Sequence, residues 1–354
     1  MYYLSLYYVC RKDVMATIYD LAKALGVSQT TVANALKGKS NVSVETRRRV
    51  LEYAQKVGYR PNVLARALTQ RRTLTLAFML PTIANPFYPE IAEEIECIAR
   101  KHNYQVVFCN THNDGELGRQ YLDRLVSRWV DGVIVMGLSM NLADLEAQFQ
   151  QSLPIVLCDW QENEQSAIIP QVSVDFKLAG QLAARHLLTL GHRRMAIIVD
   201  LPLQTLRFEG FRLTLEEAGL QLAPEMIQQG NSELASGYSA AQRLFALEHP
   251  PTAIFAANDW MAIGAMEAAY DMGLQVPRDV SIIGLDDIVV SAHMRPPLTT
   301  IAISKQQLAK AATELLLKQL NKIEDIASSV LVPPTLLPRP STTVPPVDGE
   351  KQNA

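Results

Sequence analysis

The chain has 354 residues, of which 48% are hydrophobic and 19% are charged, and its net charge is −3. This length and composition allow two or three globular domains with hydrophobic cores, and they exclude a disordered protein. No apolar run reaches the roughly 20 residues that a membrane-spanning helix needs.

The first residues do not have the order of a secretory signal, because the charges of Arg11 and Lys12 follow the apolar stretch. Met15 stands directly before a helix signal, so we interpret it as the physiological start. Residues 1–14 are then a non-native or disordered extension, and a short genuine extension is the alternative. The four cysteines are scattered without a CxxC pair, which predicts a reducing cytoplasm.

Charge is distributed unevenly along the chain. Between Met15 and Arg72 there are 11 Lys and Arg against 3 Asp and Glu, whereas the residues from 73 onward carry a net charge of −12. A basic head on an acidic body is expected when only the head meets nucleic-acid phosphates. The alternative is an ordinary solvated helical face.

The head contains three short predicted helices, at Thr17–Leu25, at Gln29 to about Lys37, and from Ser43 to Gly58. A capping residue precedes each apolar helical pattern, and Gly26 breaks the first pattern just before the cap Ser28. Two helices joined by so tight a turn indicate a helix-turn-helix unit.

The second helix has one polar face. Val32 and Leu36 turn inward, and the exposed set is Gln29, Thr30, Thr31 and Asn34. Short polar side chains at a helix N-terminus suit base edges in the major groove of DNA. An ordinary helical hairpin with a polar outer face is the alternative.

The head strongly resembles that of lactose-repressor (LacI/GalR) family regulators. The shared motifs are T-I-Y-D-L-A, G-V-S-x-x-T-V, V-S-x-x-T-R-x-x-V, G-Y-x-P-N and A-R-A-L. The resemblance implies that Gln29, Thr30 and Asn34 read bases. It implies that phosphates are held by Tyr19, Ser28, Thr31 and the Arg47–Arg49 end of the third helix, which includes Arg48. Family members often carry a larger residue where Asn34 stands, which leaves the operator sequence open.

The stretch from Asn62 to Thr69 matches the family's hinge helix. It is too short to be helical alone in water, and the resemblance implies that it orders when two subunits meet on DNA. Asn62, Arg66 and Leu68 are its predicted DNA contacts, with Leu68 as a wedge in the minor groove. The alternative is that Leu68 packs against the body.

From residue 74 onward, short apolar runs alternate with amphipathic helices, which favours parallel sheets covered on both faces. The predicted strands are Leu74–Leu80, Gln105–Cys109, Gly132–Met136, Ile155–Cys158, Gln171–Val174, Met195–Val199, Ala253–Ala256 and Ser281–Leu285. Helices are predicted between them, for example at Tyr88–His102, Gly118–Arg128, Lys177–Leu190 and Met261–Met272. These elements fit two similar halves better than one sheet.

The family resemblance extends over roughly residues 15 to 343, for example through LPTIANPFYPEIAEEIE, RFEGFR and AIFAANDWMAIGAMEA. It implies an all-α helix-turn-helix head plus an α/β, periplasmic-binding-protein-like sensor of two doubly wound parallel-sheet subdomains. The predicted boundaries are a DNA-binding domain at 15–61, a hinge at 62–72, an N-subdomain at 73–175 and 304–328, a C-subdomain at 176–303 and 329–343, and a disordered tail at 344–354. Crossovers are expected near Asp175, Ser304 and Ser328.

Effectors in such folds bind beyond the carboxyl ends of the strands. Matching family positions predict the effector contacts Asn85, Phe87, Tyr88, Asp159, Trp160, Asp175, Arg207, Asn258, Asp259 and Asp286. Structural roles are the alternatives: Asp175 and Asp286 as helix caps, Trp160 as a packing residue, and Asn258 and Asp259 as turn residues. The loop before Arg207 is about three residues shorter than is usual in the family, which predicts an altered ligand or an altered Arg207 position.

The sequence therefore predicts a transcriptional repressor, at least dimeric, that binds a near-palindromic operator and a small-molecule effector, with no cofactor. A sugar is the favoured effector and a nucleobase or nucleoside the alternative; inducer and corepressor both stay open. A solute-binding protein is a second class, opposed by the head and by the lack of an export signal. An enzyme is a third, opposed by the lack of catalytic or metal-binding motifs.

Overall fold

The computed structural model describes residues 16–59, 72–127, 130–137, 140–151, 153–159, 165–323 and 329–346. The chain divides into two compact units, residues 1–73 and residues 74–354, which we call the head and the body. Within the described ranges, no helix has the length and apolarity needed to cross a membrane.

The head consists of three helices, α1 (Ile18–Leu25), α2 (Gln29–Leu36) and α3 (Val44–Lys56). Each begins after a side chain that accepts a hydrogen bond from a backbone N–H of its first turn; these caps are Thr17, Ser28 and Ser43. Gly26 follows α1 with φ of +65°, the left-handed conformation that suits glycine. The three helices enclose a small core of Leu21, Ala22, Val32, Ala35, Val50 and Ala54.

The body contains two sheets. The first is entirely parallel, with the order β11-β5-β4-β3-β1-β2. Its strands are β1 (Thr75–Leu80), β2 (Gln105–Asn110), β3 (Gly132–Met136), β4 (Ile155–Cys158), β5 (Gln171–Val174) and β11 (Ser329–Val332).

The second sheet has the order β12-β10-β9-β8-β6-β7, and only its edge strand β12 is antiparallel to its neighbour. Its strands are β6 (Met195–Val199), β7 (Ile227–Gln229), β8 (Ala253–Ala256), β9 (Ser281–Asp286), β10 (Thr299–Ala302) and β12 (Thr335–Leu337). The eight strands predicted from sequence are present with ends within one residue, whereas β7, β10, β11 and β12 were not predicted.

Helices connect the strands of both sheets. They are α4 (Phe87–Lys101), α5 (Gly115–Val126), α6 (Leu142–Gln150), α7 (Phe176–Thr189), α8 (Thr205–Glu217), α9 (Leu234–Phe245), α10 (Asp259–Asp271) and α11 (Lys305–Leu320). Apolar side chains of the first sheet alternate between two buried clusters, so Phe78 and Ile134 pack on one face while Met79 and Val133 pack on the other. Two covered faces are typical of doubly wound sheets.

The chain crosses between the subdomains three times. Helix α7 follows β5 and packs against α8 of the C-subdomain, and α11 follows β10 and packs against α4 of the N-subdomain. The third crossover differs from our prediction. Residues 329–332 form β11, which pairs with β5 of the first sheet, so their assignment to the C-subdomain is wrong. The crossing lies at Pro333–Pro334, because β12 begins immediately afterward in the second sheet.

Candidate DNA-binding surface and effector cleft

Helix α2 presents the polar face predicted from its sequence. Gln29 and Thr30 are exposed at its first turn, and Asn34 is half-buried one turn later. Val32 is fully buried in the head core. The first turn of α2 is therefore open to a partner, and its side chains are amides and hydroxyls that can donate to and accept from base edges.

The predicted phosphate contacts Ser28 and Thr31 also bind each other. The Ser28 hydroxyl accepts a hydrogen bond from the Thr31 backbone N–H at 3.0 Å, and the two hydroxyl oxygens are 2.9 Å apart. Both residues thus have a capping role in α2. Among the residues that the structure describes, none forms a hydrogen bond with the Tyr19 hydroxyl, and Tyr19 is 57% exposed.

The three arginines of α3 are partly engaged within the head. Arg47 and Arg49 donate to the carbonyl oxygens of Lys39 and Leu25. Arg48 forms ion pairs with Glu45 at 2.9 Å and with Glu52 at 3.1 Å. Water screens such exposed pairs strongly, so a phosphate can compete for Arg48.

Four predicted contacts lie outside the described residues: Asn62, Arg66 and Leu68 of the hinge, and Trp160 of the cleft. Their roles stay predictions.

In the body, polar residues meet at the carboxyl ends of strands from both sheets. Asp159 follows β4, Asp200 follows β6, and Asp286 is the last residue of β9. Burial raises the pKa of the Tyr88 hydroxyl; the charges of Asp159, Asp286 and Asp200 raise this pKa further and that of Arg207 lowers it. Charged groups of both subdomains therefore lie near the Tyr88 hydroxyl, and we call this region, where the sequence predicts effector binding, the effector cleft.

Arg207 is oriented by an aromatic ring and a carbonyl group. Its guanidinium carbon lies 3.9 Å from the centre of the Phe176 ring, and its Nη1 donates to the Ala257 carbonyl oxygen at 2.6 Å. Two glycines allow this contact, because they let α7 and α8 approach closely. A Cβ on Gly180 would lie 2.1 Å from the Arg207 carbonyl oxygen, and one on Gly210 would lie 2.0 Å from that of Lys177.

Asp286 is a buried residue, and its carboxylate accepts no hydrogen bond from a residue that the structure describes. Only 5% of the residue is exposed. Burial raises its pKa well above the usual value, and the positive charge of Arg207 opposes that rise. The carboxylate oxygens are not fully enclosed by the protein, so Asp286 can accept hydrogen bonds from a ligand.

Asp259, which we predicted as an effector contact, binds groups of the protein itself. It is fully buried, and its carboxylate accepts hydrogen bonds from the Ser291 hydroxyl at 2.6 Å, the Thr300 hydroxyl at 2.6 Å and the Ile288 backbone N–H at 3.0 Å. Burial raises its pKa to about 6, although these three donors oppose the rise. Both oxygens accept hydrogen bonds from the protein, which gives Asp259 a structural role in holding the loop after β9; an effector contact by Asp259 stays a prediction.

Three further predicted contacts hold backbone N–H groups. The Asn258 side chain accepts from the Met261 N–H at 2.8 Å, and its amide donates to the Ser232 carbonyl at 3.2 Å. Asp175 caps α7 through the Leu178 N–H at 2.9 Å. Asn85 accepts from the Phe87 N–H at 3.0 Å. Asn258 is 3% exposed, so its main role is structural.

The two aromatic residues at the start of α4 lie in different surroundings. Phe87 is 4% exposed and belongs to the apolar core, whereas Tyr88 is half-buried beside the cleft. Their rings meet edge to face with centres 5.5 Å apart. Phe87 therefore supports Tyr88 from the core side. No group of three or more potential metal ligands occurs among the described residues.

Residues 17–62 match the family described as bacterial regulatory proteins, lacI family, and residues 184–342 match the periplasmic binding protein-like domain. The chain is 36% identical over 335 residues to the HTH-type transcriptional repressor PurR of Haemophilus influenzae (strain PittEE), covering 92% of this chain and 98% of that protein. The chain belongs to the lacI family.

Solved structures of lacI-type regulators have the same fold. A lac repressor dimer bound to operator and the anti-inducer ONPF has a TM-score of 0.82 and 27% identity, covering 93% of this chain and 99% of that one. A LacI family transcriptional regulator from Enterococcus faecium with bound ribose has a TM-score of 0.69 and 28% identity, covering 76% and 99%. These similar proteins are regulators and not enzymes.

This lacI-family chain has a compact network that sequence reasoning missed, in the shortened loop before Arg207. Gln204 is 6% exposed and accepts from the Asp200 backbone N–H at 2.8 Å. Its amide donates to the Ser232 hydroxyl at 3.2 Å, and that hydroxyl donates to the Asp200 carboxylate at 3.2 Å. Burial raises the pKa of Asp200. Gln204 thus closes the loop onto its start at Asp200 and ties it to Ser232.

Proposed function

We propose that this protein is a sequence-specific DNA-binding transcriptional repressor whose operator affinity is controlled by a small molecule in the effector cleft. One observation carries the proposal: a chain with a capped helix-turn-helix head is 36% identical over 335 residues to a transcriptional repressor. The exposed first turn of α2 supports a DNA-reading role, and Asp286 supports a ligand-binding role for the body.

The operator is then near-palindromic, because a dimeric helix-turn-helix protein reads two half-sites. We assign base contacts to Gln29, Thr30 and Asn34, and the hinge contacts with DNA to Asn62, Arg66 and Leu68, of which Leu68 enters the minor groove. A homodimer is the minimal assembly for such a site. Footprinting on genomic fragments at two salt concentrations tests the proposal, since phosphate contacts make binding weaker as salt rises. Uniform protection without a preferred site would contradict it.

Two variants distinguish residues that read bases from residues that bind phosphates. Asn34→Ala should change the base preference at one operator position, altering the difference in binding free energy between bases there by about 1–3 kcal/mol. Arg48→Ala should weaken all sites alike and reduce the salt dependence. Binding to a library of single-base operator variants measures both effects. An unchanged base preference in Asn34→Ala would show that this residue does not face the bases.

A sugar or sugar derivative is the effector that the cleft supports best. Three carboxylates, Asp159, Asp200 and Asp286, accompany one arginine near Tyr88. Carboxylates accept from hydroxyl groups, and an excess of them disfavours an anionic ligand. Lys305 is also near Asp286, but its charge is partly balanced by Glu90 at 3.3 Å. The similar Enterococcus faecium regulator has bound ribose.

A nucleobase or nucleoside is the second candidate, favoured by the similarity to PurR and by two aromatic rings at the cleft. Phe176 is buried and one face of its ring is covered by Arg207, so Tyr88, which is only partly buried, is the ring that we assign to stacking on a base. A thermal-shift screen of sugars, sugar phosphates, nucleosides and nucleobases distinguishes the candidates. A ligand at 100 times its dissociation constant adds about 2.7 kcal/mol of stability.

The direction of control follows from reciprocal linkage. An inducer and the operator weaken each other's binding by the same factor, whereas a corepressor and the operator strengthen each other's. Titrating the operator with and without the identified compound gives the sign directly.

A further inference from the structure

The loop that follows β9 has a backbone that ordinary side chains rarely adopt. Asp286 has φ of +117° and Asp287 has φ of +54°. The C-subdomain holds this loop at several points. The Ile288 N–H donates to Asp259 at 3.0 Å, the Asp287 N–H donates to the Thr300 hydroxyl at 3.3 Å, and Arg339 pairs with the Asp287 carboxylate at 2.6 Å.

A carboxylate from the other subdomain holds the same loop. Glu90 lies in the first turn of α4, and its Oε1 accepts a hydrogen bond from the Val289 backbone N–H at 2.9 Å. Its Oε2 lies 3.3 Å from the Lys305 ammonium, which also donates to the Asp287 carbonyl oxygen. The Glu90 and Lys305 side chains are 27% and 13% exposed. Both oxygens of Glu90 are therefore used at the junction of the subdomains.

These contacts lie beside the effector cleft on both walls. Glu90 is two residues after Tyr88, and Val289 is three residues after Asp286. Lys305 is near enough to Asp286 that its charge favours the ionised carboxylate. Hydrogen bonds to a charged acceptor are stronger than neutral ones, and partial burial reduces their screening by water. The contacts of Glu90 thus restrict the distance between the two walls of the cleft.

We infer that Glu90 is a positioning residue, which clasps the Asp286-bearing loop to the N-subdomain and presets the spacing of Tyr88 and Asp286 for the effector. The inference rests on the proposed function for the identity of the cleft as the effector site. The clasp itself is measurable without effector and without operator.

Hydrogen exchange of the full-length protein, followed by mass spectrometry of peptides, measures the clasp at the Val289 amide. In the wild type, the amides of residues 288–289 should be protected. Glu90→Ala should raise their exchange rate roughly tenfold or more, as expected for losing a hydrogen bond to a charged acceptor. Glu90→Gln keeps an acceptor oxygen for Val289 and should retain most of the protection.

Two controls separate a clasp from a general stabilising role. Glu93→Ala alters an exposed carboxylate on the same helix and should leave exchange at 288–289 unchanged. Lys305→Met removes the ion pair and the contact to the Asp287 carbonyl, so it should also raise exchange in this loop. Peptides from α4 and β1 report whether any variant loosens the subdomain as a whole.

Selective loss of protection at 288–289 in Glu90→Ala, with rescue by Glu90→Gln, supports the clasp. The inference is overturned if these amides exchange freely in the wild type. It is equally overturned if Glu90→Ala leaves them protected or raises exchange evenly throughout α4. A missing operator footprint would instead contradict the proposed function, and it would not change the interpretation of hydrogen exchange at residues 288–289.

Discussion

Short polar residues at helix starts occur in both the head and the body, and in both regions they cap the helices. Thr17, Ser28 and Ser43 cap the helices of the head. Asp175 and Asn258, which we predicted as effector contacts, cap α7 and α10 of the body. A polar residue at a strand-to-helix junction should therefore be expected first to bind a backbone N–H group. A cleft residue that has no such bond, such as Asp286, is the better candidate for binding a ligand.

The largest expected effect comes from Asp259, the most engaged of these residues. Asp259→Ala leaves three buried donors without an acceptor, each costing about 1–3 kcal/mol. We expect the free energy of unfolding of the body to fall by about 3 kcal/mol or more in urea denaturation. Asp271→Ala is the matched control, since its exposed carboxylate accepts one hydrogen bond from Tyr238. If Asp259→Ala keeps normal stability but loses effector binding, Asp259 contacts the effector.

Asp286→Ala should behave in the opposite way. Effector affinity should fall by about 1.5–3 kcal/mol for each charged hydrogen bond lost, as measured by calorimetric titration, while operator affinity without effector stays the same. Because the native pKa of Asp286 is raised, the native state holds this proton more tightly than the unfolded chain. Its contribution to wild-type stability therefore falls as pH rises through the native pKa.

The stability of Asp286→Ala relative to the wild type should consequently increase with pH, and melting curves of both proteins between acidic and alkaline pH measure this. Unchanged effector affinity with a lowered melting temperature would instead identify Asp286 as a structural residue.

A smaller effect is expected from the caps, and it should differ between the two regions. Asn258→Ala removes a buried cap and a donor to the Ser232 carbonyl, so about 2 kcal/mol of body stability should be lost. Thr17→Ala removes an exposed cap of α1 and should cost about 1 kcal/mol of head stability. Circular dichroism with denaturant titration compares them. Equal costs would mean that burial adds nothing to a cap.

The smallest effect is expected from Asp175→Asn, because asparagine caps a helix as well as aspartate does. Stability and effector affinity should both stay within about 0.5 kcal/mol of the wild type. A tenfold loss of effector affinity at unchanged stability would show that the Asp175 carboxylate binds ligand in addition to capping α7.

The sequence predicted the elements that have a local signal. Long apolar runs at the centres of the sheets, such as Met195–Val199, were identified with correct ends. Three of the four missed strands, β7, β11 and β12, lie at sheet edges, whereas β10 lies inside the second sheet; all four are only three or four residues long. Such segments are too short to show the alternation of apolar and polar residues that predicts a strand. Their pairing depends on strands that are far away in the sequence.

The same limit applies to the cleft. Its motifs identified Tyr88, Asp159, Arg207 and Asp286, which the fold brings together. They did not reveal that the oxygens of Asp259 are used by Ser291 and Thr300, because these partners are 32 and 41 residues away. Phe176 was missed for a related reason. A signal existed in the paired glycines Gly180 and Gly210, which mark a close helix contact beside Arg207.

The crossover at Pro333–Pro334 has a consequence for how the subdomains move. Each proline ring fixes its φ angle near −65°, so rotation within this crossover is confined to ψ. The strands on either side are paired in different sheets, which leaves little other freedom. When the subdomains move relative to each other, this crossover should therefore change its backbone angles less than the crossovers near Asp175 and Ser304, which lack a proline pair.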